Sequence, residues 1–242
     1  MIEKNKKIKA VFFDLDDTLY DYEYAHQKAL YTLFKRIERC TKMPLELISL
    51  AFSIAQKDVK MQLSWTAASH NRDLYLQKFF EKINSKQKNT ILPDMIVPLY
   101  DLYRDKFYKS IKKDTWSKKT LRYLQSKWIK TWIITDSISY VQFKKLEKLW
   151  FSDYIDVFVS SEEVWLEKPH SWCFLLWCYK AEVLISESLM VWDNIDRDIL
   201  WSQRIWMQGI RLNRYHKKSN WIRPNYTVYT TKELYELIKT IL

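Results

Sequence analysis

Short apolar runs alternate with amphipathic stretches of helical period at both ends of this 242-residue chain, whereas the middle carries helical period alone. The first run, residues 8–13, is apolar, β-branched and aromatic, the pattern of a parallel strand buried on both faces, and it stops at Asp14-Leu15-Asp16-Asp17-Thr18. No comparable run follows until after Tyr108. Apolar residues there recur at helical spacing over residues 24–40, 44–62, 72–82 and 94–108, which predicts a helical insert. After Lys113 the alternation returns, with helices expected over 117–127, 138–149, 171–180 and 196–204. Strands are expected over 129–135, 155–160, 189–191 and 207–212, and a last strand and helix after Asn225.

Repeated βα units of this kind predict an α/β fold, a doubly wound parallel sheet of Rossmann-like type. Residues 1–20 and 110–242 form the expected core, and 21–109 an inserted helical cap domain. In such sheets, ligand sites form at the C-terminal ends of strands. Those ends carry Asp14, Asp16, Thr135 and Asp193, with Lys168 in a following loop.

Composition adds an anomaly to this ordinary pattern. The chain has one glycine, Gly209, and twelve tryptophans, where average usage gives roughly 17 glycines. Lys127-Trp128-Ile129 and Leu149-Trp150-Phe151 each close an amphipathic stretch. Both put tryptophan at the left-handed position where a helix C-terminus favours glycine. Trp65, Trp116, Trp165, Trp192 and Trp221 also fall at expected loops or turns. The expectation is that the gene uses an alternative genetic code in which UGA means glycine, and was translated with UGA as tryptophan. A truly tryptophan-rich chain would instead bury indoles on core faces, with partners for their N–H groups. Trp172 and Trp177 fit the recoding least, because they fall in an expected helix, where glycine is about 1 kcal/mol worse than alanine.

Three cysteines, Cys40, Cys173 and Cys178, show no metal-ligand spacing. They argue against a disulfide framework and for a reducing, cytoplasmic setting. No signal peptide or membrane span is expected. The net charge of +11 comes from lysine doublets such as Lys112-Lys113 and Lys217-Lys218, interspersed with acids. Such a balance favours anionic ligands, but specific nucleic-acid motifs are missing.

Carboxylates at two strand ends, joined by a lysine and a hydroxyl, suit Mg²⁺-assisted phosphoryl transfer, since adjacent carboxylates repel unless a cation intervenes. Four ordered motifs carry a resemblance: Asp14-Leu15-Asp16-Asp17-Thr18, Thr135 after Ile133-Ile134, Lys168-Pro169, and Val191-Trp192-Asp193-Asn194 with Asp198. The chain resembles the haloacid dehalogenase superfamily, specifically its phosphatases with a helical cap after the first motif.

The resemblance implies that Asp14 is the nucleophile that forms an aspartyl-phosphate and that Asp16 is the acid/base. It implies that Thr135, Asp136 and Lys168 hold the phosphate, and that Asp14, Asp193 and the main-chain carbonyl of Asp16 hold Mg²⁺ with support from Asp198. The substrate would be a small phosphorylated metabolite, with cap contacts sought at Tyr22, His70 and Arg72. A phosphomutase keeps the same residues, and a catalytically silent binding protein is the alternative if Trp165 and Trp192 are native, because the family has glycine before the metal-binding aspartate. Asp16 argues against a dehalogenase, whose leaving group needs no acid.

Overall fold

The computed structural model describes residues 7–64, 66–86, 93–164, 171–194, 207–218 and 224–242. The chain divides into two compact units, Met1–Asp21 with Lys112–Leu242, and Tyr22–Ile111. The first is built on a parallel sheet whose strands are β1 (Ala10–Phe13), β2 (Lys130–Thr135), β3 (Val157–Ser160), β4 (Ser188–Trp192), β5 (Gln208–Leu212) and β6 (Tyr226–Val228). Their order is β3-β2-β1-β4-β5-β6, so the chain starts in the middle, winds one way, then returns across β1 and winds the other. That reversal opens a crevice at the C-terminal ends of the strands flanking it. All four residues of β1 are fully buried, as a strand paired with β2 on one side and β4 on the other must be.

The second unit contains α1 (Tyr22–Thr41), α2 (Leu45–Gln62), α3 (Arg72–Lys86) and α4 (Ile96–Ser110). Along α1, Ala25, Ala29, Leu33 and Ile37 repeat every fourth residue and form its buried stripe. The first unit adds α5 (Thr115–Ser126), α6 (Ser139–Leu149), a one-turn α7 (Ser161–Val164), α8 (Ser171–Ala181) and α9 (Thr231–Ile241). Asp114 caps α5 by accepting from the backbone N–H groups of Trp116 and Ser117 at 2.9 Å, and its other oxygen accepts from Thr231 Oγ1 at 3.0 Å. One side chain therefore starts α5 and ties it to α9. Among the described residues, no helix is long and apolar enough to cross a membrane.

Sequence and structure differ at several edges. The third strand is shorter than expected because Ser152–Tyr154 forms a 3₁₀ turn and the Asp156 carboxylate accepts from Thr131 N at 2.6 Å. The single turn of α7 is too short to leave a periodic pattern. The helix expected over 196–204 lies outside the described residues, as do Trp65, Trp165 and Trp221.

Two of the anomalous tryptophans sit at helix ends in left-handed geometry. Trp128 has φ 58° and Trp150 φ 62°. Trp128 N donates to Gln125 O and Ile129 N to Leu124 O, while Trp150 N donates to Glu147 O and Phe151 N to Leu146 O. Each pair of bonds is a Schellman motif. The two indoles are 94% and 65% exposed. Two other expectations are corrected. Trp116 lies in the first turn of α5, because Asp114 starts that helix earlier than the apolar period shows. Trp192 ends β4 rather than forming a turn, and it is fully buried against Ala10, Phe12, Trp132 and Met190. It reaches the core because Gly209 on β5 leaves space; a Cβ there would lie 2.4 Å from its ring. The indole nitrogens of Trp132 and Trp192 are buried with no hydrogen-bond partner among the described residues.

Candidate active site

The sheet order brings the expected acids to one edge. Asp14 directly follows β1, is 8% exposed, and extends the ladder by donating its N–H to Val191 O at 2.9 Å. Phe13 pairs with Val191, so Asp14 and Asp193 leave neighbouring strands within two residues of register. The chain then turns. Asp17 adopts φ 61°, an uncommon left-handed conformation for a residue with Cβ, of the kind that concentrates at functional sites.

Asp16 is held from two sides. Tyr20 Oη donates to its Oδ1 at 2.7 Å, and Lys145 Nζ donates to Oδ1 at 2.8 Å and Oδ2 at 2.6 Å. The Lys145 side chain is 2% exposed against 27% for Asp16, so this is a largely desolvated ion pair spanning 129 residues of sequence. One turn earlier on the same buried face of α6, Gln142 Nε2 donates to Thr135 Oγ1 at 2.6 Å and reaches Asp136 O at 3.4 Å. Helix α6 thus delivers two polar side chains, three residues apart, to two strand ends. The residues after β2 are tied in turn to those after β3. Ser137, at φ 149°, donates its N–H to Ser161 Oγ at 3.0 Å, and Ser139 N donates to Glu162 Oε2 at 2.8 Å.

The loop after β5 clamps the one after β1. Tyr215 Oη donates to Asp21 Oδ1 at 2.7 Å and lies 3.1 Å from Asp17 Oδ1. Burial, then the bond to Asp21 and the charge of Asp17, hold this phenol protonated far above its usual range. Arg214 approaches the carbonyls of Asp17 and Thr18 at 3.4 Å, and Lys217 Nζ lies 3.8 Å from Asp193 Oδ2. The loop is itself braced by Asn213, whose Oδ1 accepts from Lys217 N at 2.8 Å.

Of the residues expected at the site, Asp14, Asp16, Thr135, Asp136 and Asp193 stand at the C-terminal edge of the sheet. Lys168 and Asp198 lie outside the described residues. Among the described residues, no three acidic, histidine or cysteine side chains converge as a metal cluster. Sequence reasoning missed Lys145, Gln142, Tyr215 and Arg214. For the first two a signal existed: Gln142, Lys145, Leu146 and Leu149 form the buried stripe of α6, so polar residues occupy positions the helical period reserves for apolar ones.

In the helical unit, Tyr22, His70 and Arg72 meet. Arg72 donates through Nη2 to Tyr22 Oη and through Nη1 to the His70 carbonyl at 3.0 Å. Its Nε donates to Tyr103 Oη at 3.2 Å, and that hydroxyl lies 2.7 Å from His26 Nδ1.

Compared with known proteins, residues 11–211 match the family described as haloacid dehalogenase-like hydrolase. The chain is 29% identical over 202 residues to ribulose-1,5-bisphosphate 5-phosphatase of Halopiger xanaduensis, with 83% of each chain covered. It is 25% identical over 240 residues to glyceraldehyde 3-phosphate phosphatase of Methanocaldococcus jannaschii, covering 97% of this chain and 98% of that protein. Among solved structures, the HAD-hydrolase YfnB of Bacillus subtilis aligns with a TM-score of 0.74 at 20% identity, over 97% of this chain and 100% of that one.

Proposed function

The chain belongs to the haloacid dehalogenase-like hydrolases, and from that premise we propose that it is a cytoplasmic, Mg²⁺-dependent phosphatase of a small phosphorylated metabolite. The observation that carries the reading is the pairing of a buried carboxylate, Asp14, with Asp16, whose carboxylate is fixed by Lys145 and Tyr20 two residues further on. The relatives named for sugar-phosphate hydrolysis support the substrate class.

Asp14 attacks phosphorus, the bond to the leaving oxygen breaks, and Asp16, which enters this step protonated rather than as the carboxylate that Lys145 holds, gives that oxygen its proton. Asp16 then takes a proton from water, whose oxygen attacks the aspartyl-phosphate and releases inorganic phosphate, restoring Asp14. A carboxylate nucleophile splits one difficult displacement into two. Thr135, the backbone N–H of Asp136 and Lys168 hold the phosphate oxygens, and Gln142 fixes the Thr135 hydroxyl for that contact. Lys145 acts as a positioning residue, because its two bonds set the orientation of the Asp16 carboxylate.

The donors present suit Mg²⁺, which takes hard oxygen ligands and is commonly held by one or two carboxylates plus water and substrate. Asp14 and Asp193, on adjacent strand ends, supply two such carboxylates. With the Asp16 carbonyl and Asp198 they would hold the ion, which when bound offsets charge on the phosphoryl oxygens.

Hydrolysis of a generic phosphate monoester, assayed with and without chelator, tests the reading. Turnover is expected only with Mg²⁺, and Asp14→Asn is expected to abolish it while the fold survives. Undiminished turnover in that variant would reject the mechanism. Asp16→Asn is expected to slow sugar phosphates about 10²- to 10⁴-fold, the usual worth of general acid catalysis, and an activated aryl phosphate less. Equal proportional losses on both, with chemistry rate-limiting, would remove the acid role.

We also infer that the tryptophans stand where the natural product carries glycine. The left-handed backbone and exposed rings of Trp128 and Trp150 support this, as do the buried nitrogens of Trp132 and Trp192, which have no hydrogen-bond partner among the described residues. Reading the twelve codons decides it, and UGG at all of them would end the idea. Independently, Trp128→Gly is expected to raise stability by about 1 kcal/mol in chemical denaturation, since left-handed backbone costs a residue with Cβ about that much.

A further inference from the structure

The left-handed turn after β1 is held by a loop that the reaction steps do not use. Asp17, at φ 61°, carries a Cβ and is strained there. Such a conformation persists only where its surroundings fix it, and residues 213–217 supply the fixing. Asn213 joins this loop to β6 by donating its N–H to Val228 O at 2.8 Å, and closes it by accepting from Lys217 N through Oδ1 at 2.8 Å. His216 N adds a bond to Asn213 O at 3.1 Å. The loop is a braced mount for two side chains, Arg214 and Tyr215.

Arg214 donates through Nε to Asp17 O and through Nη2 to Thr18 O, both at 3.4 Å, while its Nη1 lies 3.9 Å from the Asp114 carboxylate that caps α5. Tyr215 places its one proton between two carboxylates, Asp21 at 2.7 Å and Asp17 at 3.1 Å. Asp17 is therefore held at its carbonyl and at its side chain by the same loop. On the other flank, Lys145 and Tyr20 hold the Asp16 carboxylate. The planar peptide between Asp16 and Asp17 turns only through ψ of the first and φ of the second, and both flanks are tied. Released from the loop, Asp17 would relax out of the left-handed region, and the Asp16 carbonyl would swing with it.

We propose that Arg214 and Tyr215 are positioning residues that aim the Asp16 main-chain carbonyl by holding Asp17 left-handed. This role rests on the reading of that carbonyl as an oxygen ligand of Mg²⁺. Groups that orient a metal ligand without touching the metal tune its affinity, and their loss costs about 10- to 100-fold.

Calorimetric titration of the full-length protein with magnesium chloride, without substrate, tests the role. Tyr215→Phe and Arg214→Met are each expected to raise the Kd for Mg²⁺ about 10-fold. Arg214→Lys, which keeps the charge facing Asp114 but loses the planar fork, is expected to fall between and decides for Arg214 if Arg214→Met does not fold. Glycine takes the left-handed backbone without strain and presents no carboxylate to the phenol. In an Asp17→Gly background, adding Tyr215→Phe is therefore expected to change Kd by no more than about 2-fold. Hydrolysis of a phosphate monoester is followed alongside, and the deficit of Tyr215→Phe is expected at low Mg²⁺ with recovery of kcat at saturating Mg²⁺. Lowered stability in urea with an unchanged Kd would make both residues structural and overturn the proposal. An equal shift in Kd with and without the Asp17 side chain would overturn the route through Asp17. A chain that shows the expected shifts but hydrolyses no monoester refutes the phosphatase reading alone, whereas hydrolysis with Kd unchanged in every variant refutes the positioning role alone. No Mg²⁺ binding by the wild type would overturn both.

Discussion

Lys145 and Arg72 are both cations drawn at least partly out of water, one in each unit, and their partners differ. Lys145 meets both oxygens of a carboxylate. Arg72 meets two phenols and a peptide carbonyl. A buried charge with its counter-ion built in holds something in place, here Asp16. Arg72, whose hydrogen-bond acceptors among the described residues are neutral, instead ties Tyr22, the His70 carbonyl and Tyr103 together within the helical unit. The contrast separates a cation held by a carboxylate from one held, among the described residues, by neutral groups.

The contrast can be broken most decisively at Lys145. Lys145→Met is expected to lower stability by about 2–3 kcal/mol in urea denaturation, below the upper range for broken buried pairs because Asp16 retains some solvent contact. Adding Asp16→Asn is expected to recover part of that loss, because the stranded carboxylate is then gone. Strictly additive losses would show that the pair is not coupled. The smallest effect is expected at Arg72. Arg72→Met should change stability by less than about 1 kcal/mol, because no paired anion is left behind. A loss as large as that of Lys145→Met would erase the distinction.

Much of this was legible in the amino-acid order. The strand of 8–13 and the acids that end it, the helical middle, and the return to alternation all follow from period, because a doubly wound sheet imposes different periods on its strands and helices. Asp14, Asp16, Thr135 and Asp193 could be placed because strand ends in such a sheet share one edge. Lys145 could not be assigned to Asp16 in the same way. Its partner lies 129 residues away, and the register that joins them belongs to the packing of α6, which the chain states only as a polar residue on an apolar face. The loop 213–218 was illegible for a related reason. Tyr215 and Arg214 reach Asp17, Asp21 and Thr18 only once β5 lies beyond β4 from β1. Trp192 was misjudged because its burial depends on what the next strand lacks.

In the chain as given, Gly209 and Trp192 divide a fixed volume between two strands, since a Cβ at 209 would come within 2.4 Å of the indole, whereas a natural glycine at 192 would leave that volume open. Their evolutionary histories are therefore joined. Across descendants of this fold, position 209 can acquire a side chain only in lineages where position 192 is small, and a bulky residue at 192 can persist only over a bare 209. An ordinary neutral drift at one strand thus closes or opens the choices at the other. The pair should appear among homologues as a trade of size across the sheet, with the combination of two large residues missing.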